Sequence, residues 1–184
     1  MPGMCRVFRI WAMIAAGLAI AVAPTPASAD PSTLRILPVS ELRFGSFAVP
    51  STGSVTVGPT GSVTRSGVFS ITSGDTSPAR FILRYDRGNN SRRTLDLRIQ
   101  LTIAAPGSVV LGGITARLSN LQTDLPGYAV VQPNQIIEVQ IPNCRTRVCE
   151  TSFNLGGQLD IRRDYGGALV AIPIPVDAVL VSVR

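Results

Sequence analysis

Between Leu95 and Ile103 the chain alternates without a break. Leu95, Leu97, Ile99, Leu101 and Ile103 are apolar, while Asp96, Arg98, Gln100 and Thr102 are polar. Successive side chains of a strand point to opposite faces, so this period of two builds a strand with one dry and one wet face. Runs of the same kind occur at Leu34–Phe44, Ser54–Val57, Val63–Ile71, Ala79–Tyr85, Val109–Leu118, Ile136–Ile141, Ser152–Ile161 and Ala168–Val183. Turn formers recur between them, drawn from the chain's 17 Gly and 14 Pro together with Ser, Thr and Asn, and apolar spacing of the helical kind is nearly absent. Eight or nine short strands without helices predict an all-β fold, a single β-sandwich.

The first 29 residues stand apart from this pattern. Arg6 and Arg9 precede an unbroken apolar run, Ile10–Ala23, and Pro24-Thr25-Pro26 then leads into Ala27-Ser28-Ala29. A basic start, a short apolar run and a small-residue cleavage site are the marks of a signal peptide. A membrane anchor needs roughly 20 apolar residues, more than this run supplies. Residues 1–29 are therefore expected to be a signal peptide and residues 30–184 one domain, with Asp30 as the mature N-terminus and no transmembrane segment after leader removal.

Cys5 leaves with the leader, and Cys144 and Cys149 remain, with four residues between them. In an oxidising compartment such a pair reads as a disulfide across a tight loop. The rival readings fit less well: redox pairs prefer C-x-x-C, and zinc needs two further ligands.

All 17 basic residues are Arg; the sequence has no Lys and no His. That excludes the Ser-His-Asp triad, the Cys-His dyad, the H-E-x-x-H zinc helix, the P-loop lysine and the Schiff-base lysine. Paired carboxylates could still hydrolyse glycosides, but the 11 acids are dispersed and aromatic residues make up only 5% of the chain. The stretch Asp86–Asn90 is loosely similar to a calcium loop but has too few charges and no bidentate Glu after it. The expectation is a protein that is not an enzyme, with no cofactor and no metal. After the leader, 15 Arg against 11 acids leave a scattered excess of +4. An exported protein seldom meets nucleic acid, so no nucleic-acid partner is expected.

The segment between Tyr85 and Leu95 carries Arg87, Arg92 and Arg93. It is a candidate contact loop for an acidic surface such as lipopolysaccharide; the alternative is a solvated loop that blunts a sheet edge. Read as a hairpin, the flanking strands would place Tyr85 opposite Leu95, and Arg84 opposite Asp96 on the wet face.

Several segments together resemble one family. Leu42-Arg43-Phe44-Gly45-Ser46-Phe47 is similar to the Leu-x-Phe-Gly opening of the bacterial domain-of-unknown-function 4402 proteins. Val55–Ser62 is similar to the valine-rich strand and Pro-x-Gly turn that follow there, and Pro78–Leu83 to the next Ala-x-Phe strand. Leu155-Gly156-Gly157-Gln158-Leu159 resembles a Gly-Gly-x-Leu strand, and Tyr165–Val170 a Tyr-x-Gly lead into the last strand. The chain departs from the pattern in its long Arg-rich tip, in the loop between Cys144 and Cys149, and in a final strand carrying Pro173 and Pro175. Members of this family are exported by Gram-negative bacteria, and their closing pattern resembles that of chaperone–usher pilus subunits. The resemblance implies an immunoglobulin-like, pilin-like sandwich used structurally, in the periplasm, on the outer surface or outside the cell.

Two functions follow as expectations. In one, the chain is a structural or adhesive envelope subunit whose partners are copies of itself or a periplasmic chaperone. Its candidate donor segment for a neighbour's sheet is Leu34, Ile36 and Val39. In the other, it is a self-complete module that binds an envelope component or carbohydrate, with Ala178–Val183 as its closing strand.

Overall fold

The computed structural model describes residues 31–71, 74–104, 107–111, 113–163 and 174–184. The leader and residues 164–173, with Tyr165 and Pro173, lie outside the described residues.

The described residues are strands and turns. In chain order the strands are β1 (Thr33–Ser40), β2 (Arg43–Phe44), β3 (Phe47–Ala48), β4 (Thr52–Val57) and β5 (Val63–Ser66). Next come β6 (Phe69–Ser70), β7 (Thr76–Ser77), β8 (Ala79–Asp86), β9 (Leu95–Ile103) and β10 (Val109–Leu111). The last are β11 (Ile114–Thr123), β12 (Val130–Val131), β13 (Ile136–Cys144), β14 (Val148–Arg163) and β15 (Val176–Val183). The larger sheet runs β1-β8-β14-β11-β10, with β4, β5 and β12 attached, and the smaller runs β13-β9-β15. Two short ladders, β2 with β7 and β3 with β6, complete the pairing. The fold is a β-sandwich.

One core lies between the sheets. From the larger come Val55, Val57, Leu83, Tyr85, Ile114, Phe153, Leu155 and Leu159, and from the smaller Leu97, Ile99, Leu101, Ile103, Ile137 and Val139. All are side chains on the inward parity of their strands, as a period of two requires. Leu42, Phe44 and Phe47, from the Leu-x-Phe-Gly stretch, are equally buried. Phe81 and Phe153, cross-strand partners on β8 and β14, stack with ring centroids 5.4 Å apart.

Three of the expected strands are each two. Leu34–Phe44 shifts register between Pro38 and Ser40 and resumes as β2. Val63–Ile71 breaks at Gly67, whose φ of +67° suits glycine. Val109–Leu118 folds back through Gly113 (φ +78°), making β10 and β11 an antiparallel hairpin.

The organising strand is β14. At Leu155 it pairs with Ala79 of β8 on one edge and Thr123 of β11 on the other. Past that point β4 takes over the edge that β8 leaves, with Val57 opposite Gly157. The handover falls at Gly156. A Cβ there would lie 2.2 Å from the Val57 carbonyl oxygen, 2.8 Å from the Gly58 carbonyl carbon and 2.9 Å from the Pro59 nitrogen. All three are backbone atoms, so nothing can rotate aside. Gly156→Ala should cost about 2 kcal/mol through this overpacking, read as a lower urea midpoint at unchanged slope. A midpoint equal to that of the parent would place the β8-to-β4 handover elsewhere.

The expected hairpin of β8 with β9 is not formed. The edges of β8 are taken by β1 and β14, and those of β9 by β13 and β15. The connection therefore crosses between sheets, and Tyr85 does not face Leu95. Arg84 instead aligns with Arg35 of β1 and Glu150 of β14, its Nε 3.4 Å from the Glu150 carboxylate. Asp96 accepts a hydrogen bond from the Asn143 amide at 2.9 Å. The inward and outward faces are as alternation requires: Leu83, Tyr85 and Leu97 are buried, and Arg84 and Asp96 are exposed. Alternation fixes the face of a strand and leaves its neighbour open.

Candidate functional site

The sequence singles out two places, the arginine-rich loop and the cysteine pair, and the fold brings them together. Inward parity in β8 runs Ala79, Phe81, Leu83, Tyr85, and the next residue in that series is Arg87. Its side chain follows the series inward and is only 5% exposed. Arg87, expected from the sequence as a contact residue of the loop, is thus an interior one.

A buried guanidinium must find acceptors, because its five donors lose water. Arg87 Nη1 donates to the Ser91 carbonyl and, at 2.9 Å, to that of Arg93. Nη2 donates to the Arg93 carbonyl at 3.0 Å and to the Cys144 carbonyl at 2.9 Å. The Arg87 amide donates to the Arg147 carbonyl at 3.0 Å. One side chain therefore holds the end of β8, the crossing loop and the end of β13. Its Nε has no partner.

The loop supplies the rest of its own turn chemistry. Asp86 accepts the Gly88 amide at 2.9 Å, with Gly88 at φ +74°, and Asn89 accepts the Ser91 amide at 3.0 Å. These are side-chain turns of the kind Asp and Asn favour. Arg147 Nε lies 3.2 Å from Asp86 Oδ1. The Gly88 amide first, and then the Arg147 and Arg84 cations, hold the Asp86 carboxyl below the ordinary carboxylate range despite some desolvation. A lowered folded pKa means the contribution is present above the ordinary range and is lost as pH falls through the lowered value. Arg92 and Arg93 are exposed at the loop's outer side.

Cys144 and Cys149 are bonded, with Cα atoms 5.8 Å apart, an ordinary disulfide separation. Cys144 ends β13, in the smaller sheet, and Cys149 opens β14, in the larger, opposite Tyr85. The two cysteines do not close a hairpin of one sheet; they tie one sheet to the other. Cys144→Ser with Cys149→Ser should lower stability by about 2 kcal/mol by the chain-entropy estimate and still leave a folded protein. A double variant without a cooperative unfolding transition would show the tie to be indispensable.

Leu34, Ile36 and Val39 lie on β1, the edge of the larger sheet. Register runs from Thr33 opposite Asp86 to Ser40 opposite Arg80. Leu34 and Ile36 are half-buried against the core, and Val39 is 54% exposed. At the other end of the chain, β15 pairs antiparallel with β9 from Val176–Ile103 to Val183–Leu97.

No group of three or more His, Cys, Asp or Glu able to hold a metal occurs among the described residues. No helix among them is long and apolar enough to cross a membrane. The sequence reading missed the interior role of Arg87. Its signal was the parity of β8, carried one step past the last apolar residue.

No curated protein and no solved structure matches the chain. The family model described as a domain of unknown function (DUF4402) matches residues 34–172, from the second residue of β1 to beyond β14. With that span matched and the β-sandwich in place, the chain belongs to the DUF4402 family.

Proposed function

We propose that the chain is an exported, non-enzymatic module of the bacterial cell envelope, structural or adhesive in use and complete within one polypeptide. The observation that carries this reading is the pairing of both end strands in cis, β1 with β8 and β15 with β9. A strand given to a neighbour must leave its own sheet, and β1 would give up a ladder running from Thr33 to Ser40. Secretion is supported by the leader pattern and by the disulfide, which an oxidising compartment maintains. Arg92 and Arg93 are the loop residues that would meet acidic groups of an envelope component such as lipopolysaccharide.

A second reading is assembly by strand exchange between copies or through a periplasmic chaperone. It is favoured by the place of β1 at a sheet edge with Leu34 and Ile36 only half-buried. Gel filtration of residues 30–184, with electrophoresis of unheated and boiled samples, separates the two. The self-complete module elutes as a single heat-labile monomer. A ladder that collapses only on boiling would overturn it in favour of exchange.

A further inference from the structure

We propose that the Cys144–Cys149 bridge is a directional thiol–disulfide exchange site for low-molecular-weight thiols, in which the incoming thiolate attacks Cys149 Sγ and Cys144 leaves as a thiolate beside Arg87. Its spacing is not that of C-x-x-C pairs. The direction comes from the different surroundings of the two sulfurs.

Access differs first. Cys144 is 2% exposed, whereas Cys149 is only partly buried at the start of β14. An attacking thiolate must reach the sulfur it bonds to, so Cys149 is the one within reach. Arg145 and Arg147 lie within the loop between the cysteines, and both are exposed. Arg147 is paired with Asp86, and the Arg145 cation favours the approach of an anionic thiolate.

The leaving group differs second. Arg87 Nη2 lies 3.9 Å from Cys144 Sγ, and the guanidinium is buried with it. Among the described residues the oxygen acceptors of that guanidinium are the Ser91, Arg93 and Cys144 carbonyls, none of which carries a charge to cancel its own. A nearby cation stabilises a thiolate, and a lower leaving-group pKa speeds exchange. Burial of Cys144 opposes this. For cleavage to run in this direction the Arg87 charge, itself short of one acceptor at Nε, must outweigh it.

In the first step the thiolate forms a bond to Cys149 Sγ as the bond between the cysteines breaks, and the electron pair leaves on Cys144. A second thiolate then attacks the external sulfur of the mixed disulfide, releasing the Cys149 thiolate. Two thiols become one disulfide, and their two electrons reduce the bridge.

The test treats the folded parent with excess reduced glutathione, quenches with acid at early times and maps the adduct by mass spectrometry. Cleavage after Arg145 and Arg147 puts the two cysteines on separate peptides. Glutathione should be at least tenfold more abundant on Cys149; equal labelling, or an excess on Cys144, overturns the proposal. A second arm follows thiolate absorbance of Cys144 in Cys149→Ser, on protein whose circular dichroism matches the parent. The Cys144 pKa should lie below the free-cysteine value of about 8.5. A value at or above it removes the electrostatic basis and overturns the proposal by itself.

Discussion

Leu97→Asp should abolish cooperative folding, while Asp96→Ala, one residue away, should cost only about 1 kcal/mol. Leu97 is 1% exposed, in the middle of the core that both sheets share. Truncating a buried Leu to Ala alone costs about 2–5 kcal/mol. A carboxylate at that place adds the cost of burying an unpaired charge or of staying protonated. The total, about 5 kcal/mol or more, is comparable to the whole stability of a domain this size. Asp96 is exposed, and its carboxylate accepts one hydrogen bond, from the Asn143 amide. Losing one such bond at the surface is worth about 1 kcal/mol. Circular dichroism and urea titration of the two variants give the comparison. Equal losses would mean that the faces of β9 are inverted.

Arg87→Ala should be the most damaging of the loop substitutions, at about 3 kcal/mol. It leaves the carbonyls of Ser91, Arg93 and Cys144 without the donor that now serves all three. Each unsatisfied buried acceptor costs about 1–3 kcal/mol, and partial entry of water reduces the sum. Arg92→Ala and Arg93→Ala remove exposed side chains and should stay within about 0.5 kcal/mol of the parent. Guanidinium titrations of the three variants give the ranking. If Arg87→Ala behaved like the other two, the inward course of its side chain would be wrong.

Faces were legible in the sequence, and neighbours were not. The inward set of β9 follows from Leu95–Ile103 alone, since a one-residue slip would turn every apolar side chain to water. The partners of β9 are instead β13, far along the chain, and β15, at its end. Such pairings depend on which edges are already occupied, and no local pattern records that. The disulfide was readable from spacing and compartment, but its placing between two sheets depends on β13 and β14 belonging to different ones. Arg87 was misplaced for a related reason. A charged residue in a loop is usually solvated, and here parity overrode that habit because three carbonyls stood ready to receive the guanidinium.

The central claim is that β1 completes the sheet of its own chain, and an engineered cross-link tests it most directly. Arg35 and Arg84 are aligned cross-strand partners on β1 and β8, and both are exposed. Antiparallel partners have Cα atoms about 4.5–5.5 Å apart, within disulfide reach. In a variant carrying Arg35→Cys and Arg84→Cys, gentle oxidation followed by peptide mapping should find residues 35 and 84 joined within a monomer, at a yield independent of protein concentration. Dimers and longer chains linked from residue 35 of one copy to residue 84 of the next would contradict the account.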